Sequence, residues 1–261
     1  CTKDELGQFL YEKCPKLRHK KVRTSKWGKV FRKAAWAVVV LTFLTALFFH
    51  PWLQINKRVQ GQIHNGMTLS EISAELESFG LTPLSDTALV STENSLLYLS
   101  NDKLAHLLFG MSEGIRDYDT GTFTPAETGV FFTYYWAEYP ETMYTDLLNG
   151  IESMSRGQII IGDILENQEN TDWDSYSGSI TTNFTLNGHP HQIEAVFYQE
   201  WYDEQILNTL NAMILDATGK ELWFSDFDDM GCFIFLGDEA WANAFSSRTG
   251  LELSSDINDI Y

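Results

Sequence analysis

The run AAWAVVVLTFLTALFFHPWL, Ala34 to Leu53, contains no Asp, Glu, Lys or Arg. At a 1.5 Å rise per residue its length matches the ~30 Å hydrocarbon core of a bilayer, so the pattern predicts one transmembrane helix. Further on, apolar positions recur at helical spacing. Thr68-Leu-Ser-Glu71 reads as a capping box, followed by Leu69, Ile72, Leu76 and Phe79, with Gly80 as a stop. A second helical pattern runs from about Ser95 to Arg116. Thr124-Pro125-Ala126-Glu127 combines a cap, a proline at the first helical position and a glutamate three residues on, which predicts a helix through the aromatic run GVFFTYYWAEY. Pro140-Glu141 opens another, to about Met154.

After Gly157 the rhythm changes. Gln158–Leu165 and Ser179–Leu186 read as strands, and Asn187-Gly188 is a two-residue hairpin signal leading into His191–Trp201. A helix is predicted over Asp203–Ala217, with Gly219 as its stop. Strands follow at Glu221–Ser225 and Cys232–Leu236, and Asp238 caps a last helix. The expected fold class is α+β: one N-terminal transmembrane helix, then a mostly helical segment, then a small antiparallel β-sheet packed with two helices. The segments are 1–33, a basic arm; 34–53, the membrane helix; 54–66, a polar stalk; 67–156, the mostly helical part; and 157–261, the α+β part.

Charge sharpens this picture. Residues 1–33 carry eleven basic against three acidic side chains, a net +8, whereas residues 54–261 carry seven against 33, a net −26. The positive-inside rule then places 1–33 in the cytoplasm and the acidic domain outside, as in a single-pass signal-anchor protein of the cell membrane. Cys1 and Cys14 fall on the reducing side and Cys232 stands alone outside, so no disulfide can staple the domain. An extracellular domain without disulfides points to a bacterial source. A net charge of −26 repels phosphate, which excludes nucleic acid as a partner of this part, and the basic arm suits the headgroups of a lipid bilayer.

Candidate chemistry is sparse. Asp117-Tyr-Asp119-Thr-Gly121-Thr-Phe123-Thr-Pro-Ala-Glu127 resembles an EF-hand loop one residue short, which makes Asp117, Asp119 and Glu127 candidate calcium ligands; the rival reading makes Glu127 a capping-box residue. Asp226, Asp228 and Asp229 form an acidic turn. Glu200 with Asp203 and Glu138 with Glu141 are paired carboxylates of the kind that chance supplies among 33 acids. A thiol hydrolase would need Cys232 beside His189 or His191, but Cys232 opens the apolar run CFIFL, where a buried thiol is the usual outcome.

From Cys14 to Leu44, CPKLRHKKVRTSKWGKVFRKAAWAVVVLTFL resembles the juxtamembrane and membrane region of anti-sigma-factor-like regulators of Gram-positive bacteria. The resemblance implies a cytoplasmic segment that signals and an outer domain that senses. The His-x-x-x-Cys-x-x-Cys zinc signature of such regulators does not occur. Together these features predict a membrane-anchored extracytoplasmic sensor or binding domain without enzymatic activity, whose partner is an unknown protein or envelope ligand. A structural subunit of an envelope complex and an envelope-anchored hydrolase are the alternatives.

Overall fold

Two apolar runs, VFFTY at Val130–Tyr134 (β3) and GCFIFLG at Gly231–Gly237 (β9), lack the alternation of a half-exposed strand because they are covered on both faces. In the computed structural model they pair antiparallel, and Glu221–Phe227 (β8) completes a sheet of order β3-β9-β8. The structure describes residues 66–85, 88–90, 92, 102–137, 139–198, 201–227 and 230–260. All of them belong to one compact unit, Arg58–Tyr261.

The side chains of this sheet divide by parity. Phe131, Phe224, Cys232 and Ile234 face one core, while Val130, Phe132, Phe233 and Phe235 face another. Against the second face pack Leu69–Ser78 (α1), Lys103–Ser112 (α2) and Glu239–Thr249 (α5). The capping box of α1 is complete: Glu71 N–H donates to Thr68 Oγ1 at 3.2 Å, and Thr68 N–H donates to Glu71 Oε2 at 2.7 Å. Asp102 and Asp238 cap α2 and α5.

Against the first face pack Met143–Ser155 (α3) and Gln205–Thr218 (α4), and beyond them lies a second antiparallel sheet. Its long central strand Ser177–Leu186 (β6) pairs with His189–Tyr198 (β7) on one side, and with Ile161–Asn167 (β4) and the short Thr171–Asp172 (β5) on the other. Asn187 and Gly188, both at positive φ, make the tight β6–β7 turn. The layers therefore run four-stranded sheet, α3 with α4, three-stranded sheet, then α1, α2 and α5. Outside them stands a ribbon of Ile115–Arg116 (β1) paired with Phe123–Thr124 (β2).

Glycine is required where layers touch. Phe131 lies so close to α3 that a Cβ on Gly150 would come within 2.3 Å of its ring. Asn211 of α4 closes the edge of β8: it accepts from Leu222 N–H at 2.6 Å and donates to the carbonyls of Leu222 and Ser255 at 3.2 and 2.8 Å. Beyond it Phe224 and Ser254 exchange both backbone hydrogen bonds, so the C-terminal segment protects the same edge.

The expected fold class is corrected on two counts. Among the described residues no helix is long and apolar enough to cross a membrane, and the longest, α4, has 14 residues. Ala34–Leu53 lies outside the described residues, as do the arm 1–33 and nearly all of the stalk. A helix that packs on a globular core needs one apolar face only, whereas a spanning helix needs apolar residues all round. The second count concerns the mostly helical segment. Its part from Ile115 to Tyr134 forms strands, with no helix starting at Thr124; aromatic and β-branched residues covered on both sides favour strand, and the partner β9 lies about a hundred residues away. The strands expected to form one small sheet are thereby shared between two sheets.

Candidate functional site

α2 ends at Ser112, the ribbon crosses back over the surface, and β3 emerges beside α3. Between them lies a cleft of about 480 Å³, within the range of small-molecule sites. One wall is aromatic. Phe109, Phe132 and Tyr134 pack edge to face, and Tyr134 continues to Trp136 with ring centroids 5.1 Å apart. Trp136 in turn packs against Trp201 at 6.1 Å and is held by an antiparallel bridge to it. Tyr134 and Trp136 are each 37% exposed, so their rings reach the surface while their backs are fixed by packing.

The opposite wall is built on Arg116. Its Nη2 donates to Asp146 Oδ2 at 2.7 Å, and its Nη1 donates to the Gly121 carbonyl at 2.8 Å. Its guanidinium also lies 4.1 Å from the Tyr139 ring centroid and 5.1 Å from that of Phe123. This pins the ribbon to the first turn of α3 through a charge-assisted hydrogen bond, with cation–π contacts to both rings. Thr142 Oγ1 donates to the same Asp146 oxygen at 3.0 Å. Glu113, exposed at the lip, forms no hydrogen bond or ion pair through its carboxylate among the described residues.

Behind the cleft the first turn of α3 is capped from a distant strand. Glu166 of β4 accepts from both N–H and Oγ1 of Thr145 at 2.9 Å, and from Gln168 Nε2 at 3.0 Å. Burial raises the Glu166 carboxyl above the ordinary glutamate range, against these hydrogen bonds, which favour the anion. Tyr202, whose hydroxyl donates to the Met143 carbonyl at 3.0 Å, is likewise pushed upward, first by burial and then by the charge of Asp146. Tyr144 is raised by burial, and its hydroxyl accepts from Asp203 N–H at 3.1 Å.

Glu166 also makes stability depend on pH. Its folded pKa exceeds its unfolded one, so its contribution is complete below the unfolded value and is lost as pH rises through the folded value. Stability measured by urea denaturation should therefore fall with rising pH just above the ordinary glutamate range. In Glu166→Gln that segment of the pH profile should flatten. An unchanged slope would place the proton uptake elsewhere.

The residues singled out from sequence lie at several places in the fold. Asp117 caps the ribbon turn, its Oδ1 accepting from Asp119 N–H at 2.9 Å and Thr120 N–H at 3.3 Å, and these bonds hold its carboxyl below the usual range. Asp119 lies in the same turn. Glu127 lies between β2 and β3, where its backbone carbonyl accepts from Thr82 Oγ1. The three are flanked by strands instead of the two helices of an EF-hand, and no group of three metal-ligating side chains is present among the described residues. Asp226 accepts from the Tyr135 hydroxyl at 2.8 Å, and Asp203 accepts from Val196 N–H at 2.9 Å. Cys232 is fully buried in β9 and burial pushes its thiol strongly up, while His191 stacks on Phe184 on the other sheet. Cys1, Cys14, Glu138, Glu200, Asp228 and Asp229 lie outside the described residues.

The cleft residues themselves escaped sequence reasoning. Arg116, Asp146 and Trp136 are distant along the chain and match no motif. One usable signal was scarcity, since Arg116 is one of few cations in a strongly acidic stretch and is surrounded by aromatic residues. Geometry and fold define a domain of helices and three sheets, the smallest a two-stranded ribbon, with an aromatic cleft at the edge of its three-stranded sheet. The chain matches no protein family, no curated protein and no solved structure.

Proposed function

We propose that this domain is a non-enzymatic binding or sensing module that receives a small ligand, or the side chain of a partner, in the aromatic cleft beside β3. The observation that carries this reading is the cleft of about 480 Å³, whose Tyr134 and Trp136 rings are fixed from behind and exposed in front. Rigid aromatic surface is inexpensive in entropy to present, and a few placed polar groups supply orientation. The cleft lining contains no histidine or cysteine, which favours binding over thiol- or imidazole-based catalysis.

The test uses the full chain labelled with 5-fluorotryptophan and assigns the Trp136 fluorine resonance by its loss in Trp136→Phe. A library of cationic, neutral and anionic small molecules is then titrated. Ligands of the cleft should move the Trp136 resonance saturably while leaving that of half-buried Trp223 or Trp241 in place. If no compound moves Trp136, the cleft is not a binding site and the reading falls.

A further inference from the structure

The cleft favours a ligand of particular charge. Among its lining residues Arg116 contributes one positive charge, and Glu113 and Asp146 contribute two negative ones. Arg116 is already engaged: Asp146 and the Gly121 carbonyl each take an N–H from one of its terminal nitrogens, and the Tyr139 and Phe123 rings lie 4.1 and 5.1 Å from it. Asp146 is offset by that same ion pair and by Thr142, which leaves Glu113 as the uncompensated charge of the lining. Glu113 has no partner through its carboxylate among the described residues. Burial most of all, and then the charge of Asp146, pushes the Tyr202 hydroxyl upward. The aromatic wall acts in the same direction as the Glu113 charge, since the face of a tyrosine or tryptophan ring carries negative potential and attracts a cation.

Resting on the reading of the cleft as a binding site, we propose that it takes an organic cation, an alkylammonium group seated against the rings of Tyr134 and Trp136 with Glu113 as its counter-charge. The excess of 26 negative charges over residues 54–261 steers such ligands toward the domain and away from anions. A quaternary ammonium suits this seat best. It is weakly hydrated and needs no hydrogen-bond acceptor, so aromatic faces and one carboxylate at the lip satisfy it. Free cations and zwitterionic lipid headgroups share this chemistry. The headgroup, however, brings a phosphodiester that the net negative lining repels.

The deciding measurement is a titration of the full chain with choline, with its uncharged carbon isostere 3,3-dimethyl-1-butanol, and with glycerophosphocholine, read on the Trp136 fluorine resonance. Choline should bind about tenfold more tightly than the isostere, the scale of a cation–π contact, with glycerophosphocholine weaker than choline. Trp136→Ala, which lacks the reporter and is followed by isothermal titration calorimetry, should abolish choline binding. Glu113→Gln, an exposed and conservative change, should weaken choline several-fold while leaving the isostere unaffected. Equal binding of choline and the isostere would overturn the charge preference while leaving the cleft as a binding site. Glycerophosphocholine binding more tightly than choline would overturn the free cation in favour of a headgroup. No response to choline, with responses to other compounds of the library, would overturn the proposal alone; no response to any compound would overturn both it and the reading beneath it.

Discussion

Asn211→Leu is expected to lose about 3 kcal/mol of folding stability in equilibrium urea denaturation. The substitution keeps the branched outline of the side chain and removes three hydrogen bonds: one from Leu222 N–H, and one to each of the Leu222 and Ser255 carbonyls. Each orphaned buried backbone group costs about 1–3 kcal/mol, and Leu222 is fully enclosed, so water cannot replace the amide there. The loss extends to the edge of the sheet. Asn211 shares α4 with Asn208, which accepts from Ile257 N–H at 3.0 Å and donates to Asp256 at 2.8 Å, so the two amides together hold the C-terminal segment against the helix. Hydrogen exchange should accordingly quicken first at Phe224 and Ser254, which pair just beyond Asn211. A loss below about 1 kcal/mol would mean that the edge of β8 is sealed by Ser254 without help from the amide.

Gly231→Ala should be of comparable size for a different reason. A Cβ at this position would lie 2.2 Å from the Thr133 carbonyl oxygen and 2.8 Å from the Tyr134 Cα, both backbone atoms of the paired strand. A flexible side chain could turn away, but a strand hydrogen-bonded along its length cannot. The cost should reach the upper end of the overpacking range, about 3 kcal/mol, seen as a lower urea midpoint at nearly constant slope. Because β3 carries Thr133 and Tyr134 into the cleft, a residual folded fraction should also bind choline more weakly than wild type does. Stability within about 1 kcal/mol of wild type would show that β3 can slide outward without loss of pairing.

Local signals account for the elements whose information is local. Thr68 and Glu71 encode a helix start within four residues, and Asn187-Gly188 encodes a hairpin because few other pairs tolerate two successive positive φ angles. Asp238 and Gly219 mark helix ends by the same logic: a side-chain acceptor for an orphan N–H, and a residue free to turn left-handed. Thr124-Pro125-Ala126-Glu127 carries an equally clear helix-start signal and yet leads into a strand. The run after Glu127 makes the difference: it is covered on two faces and is offered β9 as a partner, and that burial outweighs a cap worth about 1 kcal/mol.

By itself the sequence determined the acidic character of residues 54–261, the absence of a disulfide within them, the caps at Thr68 and Asp238, and the order of the long strands and helices after Gly157. Tertiary structure alone decided that β3 joins β8 and β9, that the strands divide between two sheets, and that Arg116, Asp146 and Trp136 line one cleft. Caps and turns are governed by neighbours a few bonds away, so they can be read along the chain. A sheet pairing or a cleft is governed by which surfaces bury each other best, a comparison among residues a hundred positions apart that no local pattern contains.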